Sequence, residues 1–380
     1  MAGTTISGMG LCCALGMDAE TCVSAMLAGQ MQPSAVPLDS FTEPLAPNYY
    51  RIPDGAALFD PGRFERLLPA VVRAAVAPAG LSAAELAALP VFVGSSCFSV
   101  GLAEAEYAAA LADGVDAVPM PRCDYDYPAK LACEALGSGG DTWAYNTACS
   151  SSANALLGAQ GLLEAGVYRH ALVLGVEYAN RTSLGGFSGL QVLAEQVRPF
   201  DAARRGMVLG EGLGAVLLSA EPVAGAPRIL GGANNCDTHN VTTANPDGRS
   251  VAAVLRLALS RTGTDAADVR AIKVHGTGSL SGDQAEAAAL IQVFPKMPPL
   301  TGLKGHTGHS LGACGVVELV LFAAVLRRGL IPATAGFSTP DPALGLRPLT
   351  ERRPAPAGRY LLNHFGFGGN NTVLVLEQPA

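Results

Sequence analysis

Charge is scarce in this 380-residue sequence: Asp, Glu, Lys and Arg make up 15% of it, and lysine occurs only as Lys130, Lys273, Lys296 and Lys304. The 25 basic residues face 32 acidic ones, giving a formal net charge of −7, and no block of like charges interrupts the chain. The basic stripe that a general nucleic-acid binder needs is missing, so no nucleic-acid partner is expected. The nine cysteines are odd in number and scattered, without a C-x-x-C pair or a spacing typical of zinc sites, so no metal is expected. They read as those of a reduced, intracellular protein, most of them small core residues and at most one of them chemical. The opening residues, MAGTTISGMGLCCALG, carry no basic residue before their apolar part, unlike a secretory signal. Long apolar runs are also lacking. GVVELVLFAAVL (315–326) contains Glu318 and is followed by Arg327 and Arg328, so a buried helix is expected there rather than a membrane span. A soluble, cytoplasmic protein is the expectation.

Hydrophobic residues are plentiful, at 49%, which excludes a disordered or collagen-like chain. Short β-branched runs recur at 4–10, 90–96, 142–148, 170–176, 214–219, 228–234, 269–276, 359–365 and 372–378. Between them, SSANALLGAQGLLEAG (151–166) and SVAAVLRLALSRTG (250–263) are apolar at helical spacing. Strands alternating with helices imply sheets covered by helices, an α/β fold. The stretch AEPVAGAPR (220–228) is the best hinge, and comparable strand and helix sets on either side suggest a duplication, with halves 1–221 and 222–380. The Pro- and Asp-rich segment 31–62 reads as a surface excursion.

The sharpest local feature is TACSSSANALLGAQ (147–160), where a strand run ends, a cysteine follows and small residues open a helix. This puts Cys149 at a helix N-terminus, where free N–H groups and the macrodipole favour a thiolate and lower the thiol pKa. From this segment alone, nucleophile and small buried turn residue both stand. A nucleophilic cysteine needs a partner, and histidine is the first candidate. His275 enters the tight polar turn VHGTGSLSGD (274–283), and His309 lies in TGLKGHTGHSLGACG (301–315). A third glycine-rich turn, NHFGFGGNN (363–371), has aromatic residues alternating with glycine, as in a movable flap beside a pocket.

The ordered series TACSSSANAL, RPFDAARRGMVLGEG, VHGTGSLSGDQAE, GLKGHTGHSLGACG and HFGFGGNN resembles the β-ketoacyl-acyl-carrier-protein synthases, most closely the elongating type II members with a Cys-His-His centre. The resemblance runs from the first strand to the last. It implies a thiolase-like, duplicated five-layer αβαβα fold and decarboxylative Claisen condensation of malonyl-carrier with an acyl chain held on Cys149. It makes His275 and His309 the catalytic histidines, Lys304 the family lysine and Glu286 the acid paired with it. Phe367 becomes the gate, with Phe365 beside it, and the N–H groups of Cys149 and Phe367 the oxyanion hole. Thr277 and Ser279 match the hydroxyls that hold the pantetheine arm, and Thr242 is a weaker match of the same kind.

The resemblance implies no cofactor of the enzyme's own, because substrates arrive on the phosphopantetheine of acyl carrier protein. Carrier proteins are acidic, so Arg63, Arg66, Arg204 and Arg205 are the docking candidates. A dimer is implied, either of identical chains or with a ketosynthase-like paralogue. Departures from the family pattern are a short chain, with deficits around 31–62 and before Lys304, Arg205 in place of an acid, and His364 where a small serine is common. Cys314, in GACG, is expected to pack its helix, and His306 to be structural. The competing readings are a noncatalytic, chain-length-factor-like partner and a thiolase-type acyltransferase. Fatty-acid elongation and aryl-polyene assembly both remain open as pathways.

Overall fold

Each of the nine β-branched runs forms a strand in the computed structural model of the chain, which describes residues 3–29, 33–39, 41, 43–114, 122 and 124–380. In spatial order one ladder runs Leu300–Thr301, Val269–Lys273, Gly358–Phe365, Asn370–Gln378, Arg228–Cys236, Thr4–Cys13, Gly212–Ser219, His170–Glu177, Val91–Gly94, Thr142–Tyr145. The join in the middle is slight, since only Thr4 and Thr5 pair across it, with Ile229 and Arg228. Outward from that join, each five-strand half pairs antiparallel, antiparallel, parallel, parallel. The same order of pairing senses on both sides is the mark of an internal duplication.

The helices Ser151–Glu164 and Cys314–Leu326 pack against strands of both half-sheets and against each other. Sandwiched in this way, a helix must be apolar all round. Every residue of Cys314–Leu326 except Ala324 is buried, as the run 315–326 suggests. Gly315 lets the two helices meet closely, because a Cβ there would come within 2.3 Å of the Ala153 nitrogen. Gly62–Val76 covers the first half-sheet, burying Phe64, Leu67, Leu68, Val71, Val72 and Ala75 at helical spacing, with Tyr127–Leu136 beside it. Arg249–Arg261 and Leu280–Val293 cover the second. The result is the five-layer αβαβα arrangement of the thiolase-like fold. Among the described residues, no helix is long and apolar enough to cross a membrane.

Segment 31–62 differs from its expectation as a surface excursion. Ser34–Ala35 and Asn48–Tyr50 join Leu209–Gly210 in a three-stranded sheet, and Tyr49, Tyr50 and Ile52 are buried. The Tyr50 hydroxyl donates to the Gly305 carbonyl at 2.9 Å, beside the His309 turn. The prolines shape the loops, while the aromatic pair anchors the segment beneath the site.

Candidate active site

Cys149 lies in a turn built from small hydroxyl side chains. The Thr147 amide donates to Ser151 Oγ at 2.9 Å, Ser150 Oγ to the Thr147 carbonyl at 2.8 Å, and Asn154 Nδ2 to Thr147 Oγ1 at 2.8 Å. The turn forces Ala148 to φ +52°, a left-handed conformation costing roughly 1–3 kcal/mol in a residue with a Cβ. With that strain the cysteine leads directly into the helix Ser151–Glu164, in the middle layer between the two half-sheets.

His309 Nε2 is 3.1 Å from Cys149 Sγ. The His275 and His309 rings meet edge to face with centroids 5.3 Å apart, so all three expected groups come together. The backbone N–H groups of Cys149 and Phe367 both point at the sulfur. Gly366 makes this possible: a Cβ on it would lie 2.9 Å from the Cys149 nitrogen. Burial, reinforced by the Lys304 ammonium, holds both imidazoles well below the usual histidine range, so both are neutral at pH 7.

The thiol differs from expectation. Burial pushes Cys149 up to about 11, although the Lys304 ammonium and the Phe367 N–H pull the other way. Enclosure outweighs the amides here, and the resting group is a thiol hydrogen-bonded to His309. Among the described residues His309 Nδ1 has no hydrogen-bond partner, so no contact fixes its tautomer. Its Nε2 can therefore accept the thiol proton in one step and present a proton in another.

Lys304 and Glu286 do not pair. Lys304 Nζ lies 2.6 Å from Glu318 Oε1, and the other Glu318 oxygen takes Lys273 Nζ. Glu286 is occupied elsewhere: it accepts from the His275 and Gly276 amides at 2.8 and 2.9 Å and from Asn363 Nδ2 at 2.9 Å. It holds the backbone of the His275 turn, not the lysine. Burial opposes the Lys304 ammonium, but the Glu318 carboxylate outweighs it and raises the lysine above its ordinary range. Lys304 Nζ also approaches His275 Nδ1 at 3.4 Å. An ammonium has only protons to offer, so Nδ1 must accept, which places the His275 proton on Nε2.

A cleft of about 680 Å³ connects Cys149, His275 and His309 to the surface, lined farther out by Thr242, Thr277 and Ser279. Thr277 Oγ1 donates to Ser279 Oγ at 2.9 Å, and Ser279 caps the helix Leu280–Val293. Phe367 stacks on Phe187 with centroids 5.5 Å apart, and Phe365 lies 5.7 Å from the His275 ring. Both phenylalanines line the cleft beside the sulfur.

Two of the four docking arginines are not at the surface. Arg63 is 1% exposed and bound to Asp54 at 2.7 Å and Glu211 at 2.6 Å. Arg204 is 6% exposed and bound to Asp341 at 2.6 Å. Buried guanidinium groups held by carboxylates cannot greet an acidic partner, so these two are structural. Arg66, paired with Asp60 at 2.7 Å, and Arg205 are exposed.

The sequence reading gave no role to Glu318, Lys273 or Glu177. Glu177 accepts from the Ser96, Cys97 and Gly312 amides at 3.0, 3.1 and 3.0 Å, tying together two turns near Cys149. An acid closing the apolar run HALVLGVE was the available signal. His275, Cys314 and His364 bring three possible metal-ligating atoms within 4.8 Å of one another. The Lys273 and Lys304 ammonium groups act on the same cluster and oppose a divalent cation there.

A buried cysteine with two neutral histidines and converging peptide N–H groups, on a thiolase-like fold, defines a cysteine-dependent acyltransferase. Residues 4–224 match the N-terminal domain of β-ketoacyl synthase and residues 227–338 its C-terminal domain, so the chain belongs to the β-ketoacyl synthase family. It is 28% identical to a chloroplastic 3-oxoacyl-[acyl-carrier-protein] synthase I of Hordeum vulgare, over 97% of this chain and 88% of that protein. It is 32% identical to 3-oxoacyl-[acyl-carrier-protein] synthase 2 of Rhizobium meliloti, over 61% of this chain and 59% of that protein. The solved structure of a ketosynthase in complex with its chain length factor, from Xenorhabdus doucetiae, superposes with a TM-score of 0.85 at 27% identity, covering 99% of this chain and 98% of that one.

Proposed function

We propose that this chain extends an acyl group on Cys149 by two carbons, using malonyl-carrier as donor and releasing carbon dioxide. The observation that carries the reading is Cys149 Sγ, 3.1 Å from His309 Nε2 and faced by the amides of Cys149 and Phe367. In the first step the sulfur attacks the acyl thioester while its proton passes to His309 Nε2. The two amides hold the oxyanion; losing one such donor costs roughly 3–4 kcal/mol of barrier. The intermediate collapses, expelling the pantetheine thiolate, which takes the proton from His309 and leaves the imidazole neutral.

Malonyl-carrier then enters along Thr242, Thr277 and Ser279, whose hydroxyls suit the amides of a pantetheine arm. Its C–C bond to the carboxylate breaks, carbon dioxide departs, and the electron pair forms an enolate on the thioester oxygen. His275 Nε2–H, fixed as a donor by Lys304, and His309, its proton moved from the unpartnered Nδ1 to Nε2 through solvent once the acyl group is in place, stabilise that oxygen. The enolate carbon attacks the Cys149 thioester, the sulfur leaves as a thiolate, and a proton taken up from solvent restores the resting thiol. No resident cofactor is needed, since the pantetheine travels with the carrier.

Acyl carrier protein is the partner, met by Arg66 and Arg205 at the surface, and the enzyme acts in the cytoplasm as a dimer in which each chain is built from the halves 1–221 and 222–380. Among the described residues the edge strand Thr142–Tyr145 has no neighbour on its outer side, and Trp143 on it is exposed. An open strand edge carrying an exposed aromatic residue suits a second subunit, identical or paralogous. A noncatalytic partner role is disfavoured by the intact Cys-His-His set. A thiolase-type reading would want Cys314 facing substrate, and its thiol is turned to the Cys149 carbonyl.

Cys149→Ala should abolish condensation and retain malonyl decarboxylation, while His309→Ala should lose decarboxylation. Condensation at the wild-type rate by Cys149→Ala would overturn the mechanism. Mass spectrometry of the Cys149 adduct, after exposure to saturated and to conjugated aryl-bearing acyl-carriers, separates fatty-acid elongation from aryl-polyene assembly.

A further inference from the structure

Behind the nucleophile, on the side away from the cleft, lies a second cysteine–histidine pair that the condensation does not use. Cys314 Sγ donates to the Cys149 carbonyl oxygen at 3.1 Å, and the same sulfur lies 3.7 Å from His364 Nδ1. Both side chains are fully buried. A thiol has one proton, and here it points at the carbonyl. In the contact with His364 the sulfur must therefore accept, so the imidazole proton sits on Nδ1. Glu318 Oε2, 3.9 Å from the same nitrogen, favours that placement. His364 Nε2 then carries a lone pair, and among the described residues it has no hydrogen-bond partner. The chain of donors runs from His364 Nδ1–H to Cys314 S–H to the Cys149 carbonyl.

Its two ends matter. The Cys149 carbonyl lies ahead of the helix Ser151–Glu164, whose first rung joins the Asn154 amide to the Ser150 carbonyl, so the helix ladder does not hold it. The other end is the strand Gly358–Phe365, which His364 belongs to, three residues before Phe367. Cys149 and Phe367 supply the two amides that face the sulfur. The Cys149 carbonyl, one peptide after the Cys149 amide, is thus tied through two side chains to the strand that ends two residues before Phe367.

We propose that Cys314 and His364 are positioning residues that fix the relative placement of the two oxyanion-hole donors. The proposal rests on the condensing mechanism above, and it concerns the acylation step alone. Decarboxylation places its negative charge against His275 and His309, whose side-chain hydrogen bonds among the described residues run to Lys304 and Cys149, not to this relay.

The test measures both half-reactions separately. Acylation of Cys149 is followed by mass spectrometry under saturating acyl-carrier, and malonyl-carrier decarboxylation by carbon dioxide release. Cys314→Ala and His364→Ser should slow acylation about three- to tenfold, as for one weakened hydrogen bond, with KM and decarboxylation unchanged. Cys314→Ser and His364→Asn, which keep an O–H and an N–H at the two positions, should recover acylation to within about twofold. Should Cys314→Ala fail to fold, the His364→Ser and His364→Asn pair gives the same comparison. Equal losses in both half-reactions, wild-type acylation by Cys314→Ala or His364→Ser, or no recovery in the conservative variants would overturn the proposal. Wild-type protein that takes no acyl group on Cys149 would refute the condensing reaction itself.

Discussion

Replacing Glu318 by leucine removes the one carboxylate between two buried ammonium groups. Its oxygens bind Lys304, at 2.6 Å, and Lys273, and all three side chains are at most 1% exposed. The trio carries a net charge of +1 when both lysines are protonated. Without Glu318 two like charges face each other in the buried middle layer. Removing one partner of a buried pair costs about 3–5 kcal/mol. A chain of this length has an unfolding entropy of roughly 0.8 kcal/mol per kelvin at Tm, so Tm should fall by about 4–6 °C. Calorimetry at one fixed scan rate is the assay, because large enzymes often unfold irreversibly. The decisive comparison is the triple variant Glu318→Leu, Lys273→Leu, Lys304→Met, which removes every charge and should regain most of the lost Tm. It should not regain decarboxylation, because nothing then donates to His275 Nδ1 and its tautomer is free. A single variant within a degree of wild type, or a triple variant as unstable as the single, would refute the account of this core.

Two further outcomes follow from the same geometry. Since burial holds Cys149 near about 11, its alkylation by iodoacetamide should rise roughly tenfold per pH unit from pH 7 to about 10, without levelling; a plateau below pH 8 would mean that the helix N-terminus wins over burial after all. Arg63→Ala, which leaves the buried Glu211 without its cation, should lower Tm by several degrees, whereas Arg66→Glu and Arg205→Glu should leave Tm unchanged. The two surface variants should raise KM for carrier-bound acyl groups several-fold but not for a short soluble thioester, and equal changes on both substrates would count against docking there.

What the sequence makes legible here depends on how local each feature is. The three reacting side chains each stand in a short turn of small residues, and those turns survive folding as read. The long strands and the buried helix 315–326 are equally local, carried by runs of β-branched or apolar residues. Pairing across the fold is different. Glu286 and Glu318 are both buried acids on helices near the histidine turns, and adjacency in the chain to His275 favours the wrong one for Lys304. The better signal was electrostatic: a lone acid inside a wholly apolar helix, Glu318, needs a cation, and Lys273, which follows the apolar pair Ala271–Ile272 in its strand, needs an anion. Two of the four docking arginines, Arg63 and Arg204, are buried for a related reason. Arg63 and Arg66 differ by three positions on one helix, and only the packing of that helix decides that Arg63 turns inward to Glu211. The thiol was misjudged because the helix N-terminus is visible in sequence and the depth of burial is not.

These charges explain why one cavity can serve two steps. Each step creates an anion where none existed: a tetrahedral oxyanion on the Cys149 side, then an enolate oxygen facing His275 and His309. A site that held a resting thiolate or an imidazolium would already have spent that asymmetry, since a permanent ion pair would be stabilised before the reaction began. Here the thiol and both imidazoles rest neutral because they are buried, and the positive charge sits behind them on Lys304, which Glu318 holds protonated against burial. That charge disfavours protonated histidine and favours any transient negative charge in the cavity, so the same arrangement that suppresses ionisation at rest lowers the energy of both anions as they form.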